Sequence, residues 1–216
     1  MALTSVHKPT TSRPFRVLDD RLRRLYAVGC CRSLDEYLSD TRAQTALEVA
    51  SEFADGTTSS QELEKARKRI LAAAQELDAL LIVSCAYKAV AQATHPIPQF
   101  VFTLTPIYVA EVHTRSARTN PQFAKKSQRH FQHDLLRELL GEHQCPTSRS
   151  ALLQARTEQV SRIADHIYRH HRFEDMPILG DALEEAGLVD ETVLAHCRSS
   201  SHHVRGCWVV DTLLGK

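Results

Sequence analysis

Five side chains near the end of the chain have the chemistry of a metal site: His196, Cys197, His202, His203 and Cys207. Thiolates and imidazoles are the donors that zinc prefers, and four such groups close a tetrahedral shell. The spacing argues the other way. Structural zinc sites usually pair cysteines about two to four residues apart, whereas ten positions separate Cys197 from Cys207. Cys207 also shares a helical stripe with Val210 and Leu214, beside Trp208, and free cysteine packs as a small hydrophobe. Core packing is therefore the favoured reading of both thiols, and no stoichiometric zinc is expected.

Cys30 and Cys31 form a second candidate. Adjacent residues project about 100° apart on a helix, so they rarely face one metal together. A site would need one of them to meet Cys197 or Cys207 across the fold. The simpler expectation is one buried thiol and one at the helix margin. His166, His170 and Glu174 follow at helical spacing. The first two have the separation of zinc-binding histidines on a helix, but Asp165 and Ile167 flank His166 where a metalloprotease would need glutamate. A solvated helix face is expected there.

Nucleophilic catalysis finds no anchor. The chain has no nucleophile elbow, no glycine-rich phosphate loop and no cysteine with the flanking residues of a known protease. No catalytic residue is assigned, and an enzyme is the less favoured class.

Charge placement says more than the total. The net charge is +1 over 216 residues, which demands neither nucleic acid nor membrane. Between Lys8 and Arg32 lie seven basic residues, among them Arg21, Arg23 and Arg24, against Asp19 and Asp20. Between Arg115 and Arg137 lie six more against Asp134. From Glu174 to Glu191 there are seven acids and no Lys or Arg. The basic stretches can grip phosphates, or they can complement the acidic segment within the chain or across an interface. The second arrangement is preferred because it explains the near-neutral total. Arg198 and Arg205 are the polar tail residues suited to holding carboxylates or helix ends, since the guanidinium fork makes bidentate contacts.

The elements that must position these groups are helical. Hydrophobic residues make up 43% and charged residues 25%, with seven Gly and eight Pro; this is globular composition with too few turn residues for an all-β chain. Residues 1–16 read as a flexible arm and 17–216 as one helical domain. Apolar periodicity starts at Leu18, Leu22 and Leu25. A second helix runs over 41–54, ended by Asp55-Gly56. Ser59 and Glu62 form a capping box, opening a helical pattern that reaches nearly to Thr94 and must bend or break inside. His95-Pro96-Ile97-Pro98 stops it. Residues 99–105 look extended and predict a packed loop. Helices follow at about 106–118, 121–140, 149–171, 176–187, 190–198 and 203–214. The longest apolar run, Leu80 to Ala86, is too short to span a bilayer and suits a buried helix. Leu22, Leu25, Ile178, Leu183 and Trp208 are the predicted core. The fold class is all-α, a bundle or irregular array of about eight to ten helices.

Two stretches carry a resemblance. Arg21-Leu-Arg-Arg-Leu-Tyr-Ala-Val-Gly-Cys-Cys-Arg32 opens the chain's first helix. Pro177-Ile-Leu-Gly-Asp-Ala-Leu-Glu-Glu-Ala-Gly187, His196-Cys-Arg198 and His203-Val-Arg-Gly-Cys-Trp-Val-Val-Asp211 make up the tail. They resemble a family of uncharacterised proteins abundant in planctomycete bacteria. The resemblance covers roughly the first 70 and last 50 residues, and it implies a helical domain but no activity. Where the resemblance leads one to expect an acidic pair after Tyr168, this chain has Arg169, His170 and His171.

The sequence thus points to a cytoplasmic helical module that binds or scaffolds a protein partner or a second copy, without a membrane or a required cofactor. Two other readings stand beside it. One is a nucleic-acid-associated regulator using 8–32 and 115–137. The other is a zinc protein built from Cys30 or Cys31 with His196, Cys197, His203 and Cys207.

Overall fold

The computed structural model describes residues 18–141, 146–199 and 202–216. The proposed arm over 1–16, with Lys8, Arg13 and Arg16, lies outside them, as does Cys145. The described chain is all-α. Eleven helices follow in order: α1 (Asp20–Arg32), α2 (Thr41–Ala54), α3 (Ser60–Glu76), α4 (Leu81–Ala93), α5 (Pro98–Ser116), α6 (Pro121–Leu140), α7 (Pro146–Gln154), α8 (Glu158–His170), α9 (Met176–Glu185), α10 (Glu191–Arg198) and α11 (Trp208–Leu214). None of the described helices is long and apolar enough to cross a membrane.

Caps set many of these boundaries. The side chains of Asp19, Asp40, Ser59, Asn120, Thr157 and Asp190 each accept a backbone N–H in the first turn that follows, satisfying donors that the helix leaves orphaned. The long pattern after Ser59 breaks at 77–80, between α3 and α4.

Three expectations change. Residues 99–105 are not a loop but the first half of α5. Pro98 sits at its N-terminal turn, where the missing N–H costs nothing. Val101, Phe102, Thr105, Val109 and Val112 are buried on that helix, so tertiary packing overrides a β-like composition. The stretch 149–171 divides at Ala155–Thr157, where Thr157 caps α8 through Val160 N. The last helix starts at Trp208 rather than near 203. Residues 203–207 instead form a connecting strap in which Gly206 takes φ +96°.

Gly206 has a double reason to be glycine. Its φ lies in the left-handed region that L side chains rarely adopt. A Cβ there would also sit 2.6 Å from Leu139 Cδ2 and 3.1 Å from Leu25 Cδ1. Gly206→Ala is expected to cost about 2–4 kcal/mol, combining left-handed strain with overpacking. Urea denaturation monitored by circular dichroism checks this.

Two apolar clusters form the interior. The first, from Leu18 to Leu139, is built by α1–α6. The second, from Leu152 to Leu213, is built by α7–α11. Leu25, Leu183 and Trp208 are buried and Leu22 is half-buried, but Ile178 is 56% exposed. It follows Pro177 at the start of α9, whose buried stripe is Met176, Leu179, Ala182 and Leu183. Leu80 and Leu81 are likewise exposed, because they lie at the α3–α4 break, as the cap and first residue of α4.

The two clusters meet across a polar seam. Arg21 on α1 donates from Nε to Asp55 (2.9 Å) and from Nη1 and Nη2 to Asp211 on α11 (2.6 and 3.1 Å). It also donates from Nη2 to the Tyr168 hydroxyl on α8 (2.8 Å), which in turn donates to Asp55. The Arg205 guanidinium lies 5.0 Å from the Tyr168 ring centroid. Burial works against the Arg21 charge, but Asp211, with Tyr168 and Asp55, outweighs it and holds the guanidinium protonated.

Candidate metal centre

The strap that joins α10 to α11 folds back over the end of α6, and four donor side chains meet there. Glu138 comes from the last turn of α6, His196 from the last turn of α10, His203 from the strap, and Cys207 from the position just before α11. One ligand atom from each lies within 4.8 Å of those of the other three. His203 Nδ1 is 3.0 Å from Glu138 Oε1. His196 Nε2 is 3.5 Å from Glu138 Oε2 and 3.3 Å from Cys207 Sγ. A tetrahedral zinc with ordinary bond lengths places its ligand atoms about 3.3–3.6 Å from one another; the two His196 separations fall in that range, and the His203–Glu138 pair, now at hydrogen-bond distance, would open slightly around an ion.

Burial sharpens the chemistry. The side chains of Glu138 and His203 are 5% and 4% exposed, and that of His196 is 17% exposed. Cys207 is fully buried. Among the described residues, Glu138 meets these two imidazoles and pairs with no Lys or Arg. Taking a carboxylate out of water without a full counter-charge is expensive. Burial pushes the Cys207 thiol well above its usual range, and the Glu138 charge pushes it further. A divalent cation between them would neutralise the carboxylate and favour the thiolate form of Cys207. The Nε2 of His203 lies 3.5 Å from Ser199 Oγ, the place where a metal-bound imidazole finds its orienting partner.

The other candidates separate from this group. Cys197 neighbours His196 in sequence but lies on a different face of α10, because adjacent helical residues diverge by about 100°, and it is not among the four donors. It packs on Gly180, whose added Cβ would lie 3.0 Å from Cys197 Cβ. Burial raises its thiol to about 12, Glu138 adding and Arg198 opposing. His202 lines the cleft beside the four donors and is not among them.

Cys30 and Cys31 are both fully buried in the first apolar cluster. That corrects the expectation that one would lie at the margin, and it removes both from a site shared with Cys197 or Cys207. Burial lifts the Cys30 thiol to about 12, against the hydrogen bond of Tyr26. His166 and His170 stack at 4.6 Å between ring centroids on an exposed face of α8. Glu174 lies beyond the end of that helix.

The arginines also find specific places. Arg24 is 2% exposed. Its Nη1 donates to Ala93 O and His95 O at 2.8 and 2.9 Å, closing the end of α4. Burial lowers it to about 10, Asp20 opposing. Arg21 is held in the seam, and Arg23 pairs with Asp20 on its own helix (2.9 Å). Arg21 and Arg24 are therefore turned inward and engaged by partners within the chain.

Arg205 pairs with Glu48 (3.4 Å) and approaches Asp55 (3.8 Å). Arg198 binds Asp181 and Glu184. The expected pairing between the basic stretches and the acidic segment is not formed within the described chain. Arg32 goes to Glu48, Arg115 to Glu111 and Arg137 to Asp134, while Glu174 and Asp175 pair with Arg172.

Glu138 is the residue that sequence reasoning passes over. No motif marks it, and it stands 65 positions from His203. Comparison with known proteins adds no further guide: no family model, no curated protein and no solved structure matches the chain.

Proposed function

We propose that the protein is a zinc-binding protein in which Glu138, His196, His203 and Cys207 hold one ion that clasps the tail strap onto α6. The observation that carries this reading is the convergence of four ligand atoms, contributed by α6, α10 and the strap, within 4.8 Å. The donor set of one sulfur, two imidazoles and one carboxylate suits a borderline-soft ion without geometric demands of its own, which is zinc. This reading takes the place of the core-packing reading for Cys207, and it leaves Cys197 as a packing residue.

The site lies on the seam between the two apolar clusters: α6 belongs to the first, and α10 and α11 to the second. Binding energy released there is folding energy for the whole chain, because the four ligands are brought together only by the native tertiary structure.

The test is metal retention. The wild-type protein is expected to carry about one zinc per chain through gel filtration, the count that a single four-ligand shell allows. Cys207→Ser and His203→Ala are each expected to lower zinc affinity by well over a hundredfold, since loss of a direct ligand exceeds the 10–100-fold cost of losing an outer-shell partner. Cys197→Ser keeps the zinc. Elemental analysis of the four proteins reads this out directly.

A further inference from the structure

Two of the four donors, Glu138 and His196, line a cleft of about 590 Å³, a size within the usual span of small-molecule sites. We propose that this cleft binds a small aromatic compound whose oxygen-donor head takes the place of Glu138 on the metal; the inference rests on the zinc reading above.

The lining supports that division of labour. Phe131, Leu135, Ala195 and Trp208 supply apolar and aromatic wall. Glu138 and His196 reach the cleft surface, whereas His203 and Cys207 do not line it. The ion would therefore face the cleft along its Glu138–His196 edge.

Glu138 is also the odd member of the shell. It is the one hard oxygen donor, and it comes from α6, while the other three ligands lie within residues 196–207. Three protein ligands with an exchangeable fourth position are the arrangement by which zinc sites take up a ligand. On exchange, the metal–oxygen bond to Glu138 breaks and one to the incoming head forms. With a hydroxamic acid, its acidic proton passes to the released carboxylate, and nothing is oxidised or reduced. In the cleft lining Arg137 pairs with Asp134 at 3.7 Å and Glu191 adds a carboxylate, so, among the described residues, no free cation invites an anionic body and an uncharged ring is favoured.

The experiment uses the full chain loaded with cobalt(II), with benzohydroxamic acid as the probe. Cobalt visible absorption reports the coordination shell, and fluorescence of Trp208, the single tryptophan, reports the cleft. Both signals are expected to change saturably with the same midpoint, while cobalt stays with the protein on gel filtration.

Phe131→Ala is expected to weaken benzohydroxamate by about tenfold with cobalt retained, the effect of losing one aromatic contact surface. Acetohydroxamic acid, which keeps the head and lacks the ring, should bind wild type more weakly by about the same tenfold factor, so the ring's role is tested even if the variant misfolds. Cobalt bound with an unmoved spectrum, or cobalt stripped into solution by the probe, overturns the cleft inference and leaves the metal reading standing. A chain that takes up no cobalt and no zinc overturns both.

Discussion

Arg21→Ala is expected to destabilise the protein by about 3–5 kcal/mol, the usual cost of removing one partner from a buried ion pair. Arg21 touches Asp55, Asp211 and Tyr168 at once, and the two carboxylate side chains are 4% and 10% exposed. Its removal leaves Asp211 without its guanidinium and Asp55 with only the Tyr168 hydroxyl and the more distant Arg205 and Lys216.

The pairing also makes a statement about additivity. Asp211→Asn alone leaves Arg21 bound to Asp55, and in the Arg21→Ala background it relieves a stranded charge. The double variant should therefore be more stable than the sum of the two single losses implies, with a coupling of about 0.5–3 kcal/mol. Chemical denaturation of the four proteins measures it. Strict additivity would mean that the seam is a set of independent surface contacts.

Metal removal is expected to have the second large effect. At free zinc about a thousandfold above the dissociation constant, binding stabilises the native state by about 4 kcal/mol. For a chain of this size each kcal/mol corresponds to about 2–4 °C in melting temperature, so chelation should lower it by about 8–16 °C. The drop should be reversed by added zinc and much smaller in Cys207→Ser. Because the thiol and imidazoles must give up protons to bind, the stabilisation should also fade as the solution is acidified. Differential scanning fluorimetry with and without chelator, across a pH series, checks both.

Much of the local structure was legible because local rules decide it. The α2 boundaries, the Ser59 cap and the Asp190 cap follow from side chains that satisfy backbone groups within three residues. Residues 99–105 were not legible, because their apolar, β-branched composition reads as extended until α1 and α4 provide surfaces on which to bury a helix. The buried Arg24 was illegible for the same reason: its partners, the carbonyls of Ala93 and His95, are about seventy positions away.

The site divides along the same line. His196, His203 and Cys207 are conspicuous by residue type. Helical phase separates His196 from Cys197, and the strap around Gly206 returns His203 and Cys207 to the α6 end. Glu138 is one glutamate among many until α6 packs beneath that strap. A carboxylate ligand has no spacing signature when its partners lie a third of the chain away.

The coordination shell at the seam distinguishes a zinc clasp from simple side-chain packing. Zinc K-edge X-ray absorption on the purified, chelator-washed protein tests it most directly. The expected spectrum has one sulfur at about 2.3 Å and three nitrogen or oxygen ligands at about 2.0–2.1 Å, with the sulfur contribution lost in Cys207→Ser. Two or more sulfurs, a shell without sulfur, or a washed protein that retains no zinc would contradict the assignment of Glu138, His196, His203 and Cys207.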